Sequence, residues 1–118
     1  MKAKVLDLNN RLTTLVENLK AHYGSTLSLH LFDTYSMYND VLADPAKYNI
    51  TNTTTSCLDV NDDSALNYLK FSKPRTLCKN PENFVFWDML HPTTRVHQIF
   101  ADAVSRFAQE KFTNLQAR

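Results

Sequence analysis

An aspartate and a histidine stand three residues apart in Trp87-Asp88-Met89-Leu90-His91-Pro92, directly after the apolar run Phe84-Val85-Phe86-Trp87. On a turn, that spacing lets the carboxylate reach the imidazole. The acid can then hold the ring in one tautomer and stabilise the imidazolium that forms when the ring takes a proton. This is an orienting acid and a general base, half of a nucleophilic-catalysis apparatus. Both residues also have plain structural readings: Asp88 as a helix cap, His91 as a hydrogen-bonded buried imidazole. His97 lies six residues further on and is expected on a helix surface. A zinc site from Asp88, His91 and His97 would use ordinary ligand types. It lacks the His-x-x-x-His spacing of a helical ligand pair, so neither a metal nor a cofactor is expected. Cys57 and Cys78 enclose 20 residues, and no Cys-x-x-Cys or Cys/His spacing turns them into a metal site. Read alone, they fit a pair of buried thiols or a bridge.

The elements that must position these residues are legible in outline. Val5, Leu8, Leu12, Leu15, Val16 and Leu19 recur three or four apart and predict an amphipathic helix from Ala3 to His22. Gly24 comes just after it, where a left-handed cap is wanted, and Lys20 and His22 suit the negative end of the helix dipole. Thr26 to Phe32 alternates Leu27, Leu29 and Leu31, which predicts a strand. His30 is expected to pack within it, and Asp33 to cap the next helix. That short helix, carrying Tyr35, Tyr38, Val41 and Leu42, ends before Pro45. From Pro45 to Pro81 the periodicity dissolves into a long loop, with one short helix expected around Ala65-Leu66-Tyr68-Leu69. The run Phe84 to Trp87 reads as a strand buried on both faces, as parallel strands usually are. Pro92 fits the first turn of a last helix with Val96, Ile99, Phe100, Ala103, Val104 and Phe107 on its apolar stripe. Strands alternating with helices give an α/β class, with about two parallel strands. In open sheets of that class, reactive groups collect beyond the carboxyl ends of the strands, where Asp88 and His91 stand.

Composition narrows the functional classes. The chain has 118 residues, 43% of them hydrophobic, and reads as one domain across 1–118. Its 13 basic and 12 acidic side chains leave a formal net charge of +1, too little to attract nucleic acid or an anionic membrane. No run approaches the roughly 20 apolar residues of a membrane-spanning helix. The first residues, Met1 to Asp7, turn polar too soon for a signal peptide. Gly24 is the single glycine, where average usage of roughly 7% would give about eight. Phosphate loops, oxyanion holes and nucleophile elbows are built on glycine. Such loops are therefore expected elsewhere or not at all.

Phe86-Trp87-Asp88-Met89-Leu90-His91-Pro92-Thr93-Thr94 resembles the last sequence block of the GDSL-type esterases and lipases, the SGNH hydrolase superfamily. The leading helix with Asn9 and Asn10, the strand closing in Phe32-Asp33, and Asp44-Pro45-Ala46-Lys47-Tyr48-Asn49-Ile50-Thr51-Asn52 are similar to that family's downstream half. The bacterial phospholipase and lysophospholipase branch is the nearest likeness. The resemblance implies part of a flavodoxin-like three-layer sandwich. It also implies a Ser-His-Asp triad in which Asp88 and His91 supply the acid and the base. Many members carry two cysteines around a variable loop at the positions of Cys57 and Cys78, which implies a disulfide and a secreted or periplasmic protein.

The departures are as informative. No serine here stands in a Gly-Asp-Ser block, and no Gly-x-Asn-Asp segment offers an oxyanion hole. Met37-Tyr38-Asn39-Asp40 imitates that segment, but Met replaces the glycine and the spacing puts it inside a helix. The resemblance thus implies the C-terminal half of an ester hydrolase, acting on a lipid or small ester substrate once nucleophile and oxyanion hole are supplied. Alone, the chain is expected to be inactive. The alternative is a non-catalytic α/β half-domain, an interaction module that pairs with a complementary N-terminal half or with itself.

Overall fold

A computed structural model describes residues 2–59 and 76–113. They fall into two compact units, one up to Asp33 and one from Thr34 onward.

The first unit is dominated by helix α1, Lys2–Tyr23. It ends where the sequence places the end: Gly24 takes a left-handed φ of 55°, which a side chain would strain. The short 3₁₀ turn Gly24–Thr26 comes next. None of the α1 side chains is buried, and Leu8 and Leu15 are 56% and 52% exposed. The strand expected from Thr26 to Phe32 does not form; residues 27–33 carry no regular structure. Alternating leucines make a segment suited to a sheet, but a strand exists only where a neighbour accepts its backbone bonds. Asp33 directly precedes α2, Thr34–Ala43.

The second unit holds the α/β core: two parallel strands with flanking helices. Helix α2 ends before Pro45, as expected, and the 3₁₀ turn Pro45–Tyr48 closes on Asn49 in a left-handed conformation. Strand β1, Asn52–Ser56, comes next. It lies inside the segment read as loop, which it corrects. Strands β2, Leu58–Asp59, and β3, Thr76–Leu77, form a small antiparallel pair. The 3₁₀ turn Pro81–Asn83 leads into β4, Phe84–Phe86, and helix α3 runs over Thr94–Phe112. The helix expected around Ala65 to Leu69 lies outside the described residues.

Strands β1 and β4 are parallel, with Asn52 opposite Phe84 and Ser56 opposite Phe86. Four steps on β1 therefore match two on β4, a bulge that would strand backbone donors. Asn52 resolves this with its own side chain, whose Oδ1 accepts from the amides of Thr54 (3.1 Å) and Thr55 (3.0 Å). Val41, Ile50, Val85 and Val96 are buried together, one each from α2, the segment before β1, β4 and α3. Met37, Tyr38, Tyr48, Phe86 and Ile99 close around them. The core is small, so the Cys57–Cys78 disulfide matters to it. Closing a loop of this size stabilises a fold by about 3 kcal/mol in the chain-entropy account.

Candidate active site

Strand β4 carries the site and is hydrogen-bonded to two neighbours. Toward β1 and β2, Phe86 accepts from the amide of Cys57 (2.9 Å) and Trp87 from that of Leu58 (2.7 Å). The amide of Cys78 donates to the carbonyl of Cys57 (2.9 Å), so the disulfide-linked segments are tied to the end of β4 from which the turn departs. The other neighbour is the chain itself, returning after the turn. The amide of Trp87 donates to the carbonyl of His91 (2.9 Å), Phe86 pairs antiparallel with Pro92, and the amide of Thr93 donates to the carbonyl of Val85 (2.9 Å). Residues 84–93 thus form a narrow reversed loop with Asp88, Met89 and Leu90 at its tip.

Pro92 is therefore not in the first helical turn, where its residue type and position predict it. Thr93 is extended, with ψ at 166°, and α3 starts at Thr94. A Thr in the cap position normally accepts from an amide in the first turn. Thr93 makes no such bond; its Oγ1 donates back to the carbonyl of Phe84 at 2.7 Å.

Asp88 and His91 meet at the tip. The Asp88 Oδ1 accepts from the amides of Leu90 (2.8 Å) and His91 (2.7 Å), which fixes the carboxylate in an Asx-type turn. The Oδ2 lies 2.9 Å from the His91 Nδ1. A neutral imidazole bonded in this way carries its proton on Nδ1, leaving Nε2 as the basic nitrogen. Asp88 is 2% exposed, whereas the His91 side chain is 51% exposed. The carboxylate is sheltered and the imidazole reaches solvent. Burial on its own would push the Asp88 carboxyl up. The hydrogen bonds from the His91 ring and from the Leu90 and His91 amides outweigh it and hold the carboxyl below its usual range. Asp88 is thus ionised at neutral pH and able to stabilise a positive charge on the ring.

The other sequence candidates separate from this pair. His97 lies exposed on α3, and among the described residues no three His, Cys, Asp or Glu side chains are grouped to hold a metal. Met37 to Asp40 lies within α2, where Asn39 spends its amide on the Tyr35 carbonyl (2.8 Å). His30 is half-buried with the Ser28 hydroxyl 3.4 Å from its Nε2. Among the described residues, one cavity of about 450 Å³ is lined by Asn52, Thr55 to Cys57, Leu77, Cys78 and Phe84, and another of about 400 Å³ by Pro81, Glu82, Thr94, Arg95 and Gln98. Neither includes Asp88 or His91 in its lining. No helix among the described residues is long and apolar enough to cross a membrane. Spacing alone gave no sign of Thr93, which reads in sequence as an ordinary helix start.

No family model matches the chain. Individual relatives do. The thermolabile hemolysin of Vibrio parahaemolyticus is 33% identical over 105 residues, covering 86% of this chain and 24% of that protein. Two GDSL esterase/lipases of Arabidopsis thaliana are 34% identical over 95 residues and 35% identical over 99. Those matches cover 79% and 83% of this chain, and 25% and 26% of the plant proteins. The chain therefore spans about a quarter of the length of the curated relatives it matches.

Proposed function

The chain belongs to the GDSL-type esterases and lipases, and from that premise we propose that it supplies the acid and base of a serine ester hydrolase. His91 takes the proton of a serine hydroxyl at Nε2 as that oxygen attacks the ester carbonyl, and later returns a proton to the leaving alkoxide. Asp88 orients the ring through Nδ1 and stabilises its charged form. General-base action of this kind contributes about 10²–10⁴-fold. The serine and the oxyanion donors come from polypeptide outside these 118 residues. In this reading the parallel pair and its helices are part of a flavodoxin-like, three-layer SGNH sandwich. The substrate is a carboxylic ester of a lipid, of the phospholipid or lysophospholipid kind. The disulfide supports an oxidising compartment, secreted or periplasmic.

The observation that carries this reading is the buried Asp88 carboxylate bonded to the Nδ1 of an exposed His91. The test is a graft. The chain replaces the matched segment in the Arabidopsis esterase/lipase that is 35% identical to it, and hydrolysis of a p-nitrophenyl ester is measured. Turnover is expected in the graft, with a loss of about 10³-fold or more on His91→Ala. The isolated chain is expected to show almost none. Rapid turnover by the isolated chain, or a graft indifferent to His91→Ala, would overturn the proposal.

A second reading rests on the exposed leucines of α1: the chain is an interaction module that associates with a complementary segment or with a second copy. Size-exclusion chromatography separates the cases. A dimer dispersed by Leu8→Lys supports association, and a monomer at all concentrations removes the self-pairing form.

A further inference from the structure

The geometry points to Thr93 as the positioning residue that sets the register of the Asp88–His91 pair, a role that rests on the proposed function of that pair. Thr93 is 1% exposed and sits in the cap position of a 19-residue helix without capping it. A Thr in that position ordinarily stabilises the helix by accepting from a first-turn amide, and here the hydroxyl is committed to the loop instead. Its Oγ1 holds the Phe84 carbonyl at 2.7 Å and its amide holds the Val85 carbonyl at 2.9 Å. One residue therefore grips two successive carbonyls at the start of β4, nine and eight positions upstream.

Above this grip the chain is closed by pairings without slack: Phe86 with Pro92, then the Trp87 amide to the His91 carbonyl. Asp88 comes next after Trp87, and its carboxylate meets the amides of Leu90 and His91. The base of the loop thus fixes which residues face each other at the tip. Pro92 has no amide to give, so the ladder between Val85 and Trp87 is thin, and the two hydrogen bonds made by Thr93 carry the registration. A slip of one residue would bring Leu90 or Pro92, not His91, to the Trp87 amide, and Asp88 would lose the imidazole.

The test uses the 118-residue chain, and reads the dyad without needing catalysis. The Asp88 carboxyl is titrated by ¹³C NMR, and ¹⁵N shifts of His91 report which ring nitrogen holds the proton. In Thr93→Val, which keeps the shape and loses the hydroxyl, the Asp88 midpoint is expected to rise toward an ordinary carboxylate and the Nδ1 proton to be lost. Thr93→Ser is expected to keep both signatures. Val96→Ala, which loosens the same core and removes none of the loop's hydrogen-bonding groups, is expected to leave them unchanged. A low Asp88 midpoint in Thr93→Val, or an equal rise in Val96→Ala, would overturn the assignment. Should Thr93→Val not fold, native-state hydrogen exchange on the unaltered chain decides. The amides of Leu90, His91 and Thr93 are expected to open with one protection factor. Leu90 and His91 exchanging about 10-fold faster than Thr93 would overturn it. An intact dyad in Thr93→Val removes the clamp and leaves the hydrolase reading standing. A dyad lost there, in a chain whose graft turns over no ester, removes the hydrolase reading and leaves the clamp.

Discussion

Helix α1 and the loop from β4 to α3 make opposite use of their sequences. Helix α1 has the regular apolar stripe, 22 residues long, and buries none of it. The loop has almost no periodicity, yet Val85, Asp88 and Thr93 are all buried, and its backbone is bonded at nearly every step. Apolar spacing tells what shape a segment takes, not whether anything covers it. Burial is decided by contacts that are distant in sequence. In this protein the buried polar contacts sit where carboxylate, hydroxyl and carbonyl groups close on one another.

The contrast can be broken by substitution. Ile50→Ala, in the small core beneath β4, is expected to cost about 2–5 kcal/mol in urea unfolding, as large-to-small changes in packed cores do. Removing the bridge by Cys57→Ser with Cys78→Ser is expected to cost about 3 kcal/mol. A smaller loss would mean that the ladder alone holds Cys57 and Cys78 together. At the other extreme, Leu12→Ala on α1 is expected to change stability by less than about 0.5 kcal/mol, as exposed substitutions do. A loss as large as that of Ile50→Ala would show that the stripe is covered in solution.

The Asp88–His91 pair sharpens the contrast through pH. The folded carboxyl is held below its unfolded value. The stability it contributes is therefore fully present above the unfolded value, near pH 4, and is lost as pH falls through the lower folded value. Asp88→Asn is expected to be less stable than the unaltered chain at pH 7, with the difference shrinking below about pH 4. A constant difference from about pH 7 to about pH 2 would mean that the carboxylate charge plays no part.

Legibility in the sequence divides along the same line. Residues 84–91 announced themselves, because an apolar run ending in Asp-x-x-His-Pro combines local signals that all act within one turn. The disulfide came from resemblance to a family, and its Cys57–Cys78 pairing is present in the structure. Helices α1, α2 and α3 came from spacing and from Gly24 and Pro45. The parallel partner of β4 did not. Leu27, Leu29 and Leu31 look more like a strand than Asn52-Thr53-Thr54-Thr55-Ser56, whose only signal is a run of β-branched threonines. Pairing is long-range, and β1 is chosen by its place beside β4 and by an asparagine that satisfies its bulge. Thr93 was equally hidden. A hydroxyl that turns back to a carbonyl nine residues upstream leaves no periodic trace.

In the proposed function, Asp88 holds His91 as a base with its proton on Nδ1. Ring ¹⁵N shifts of His91, measured above the pH at which the ring is neutral, test it most directly. They are expected to report a protonated Nδ1 in the unaltered chain and a loss of that preference in Asp88→Ala. A proton on Nε2 in the unaltered chain, or a ring indifferent to Asp88→Ala, would contradict the account.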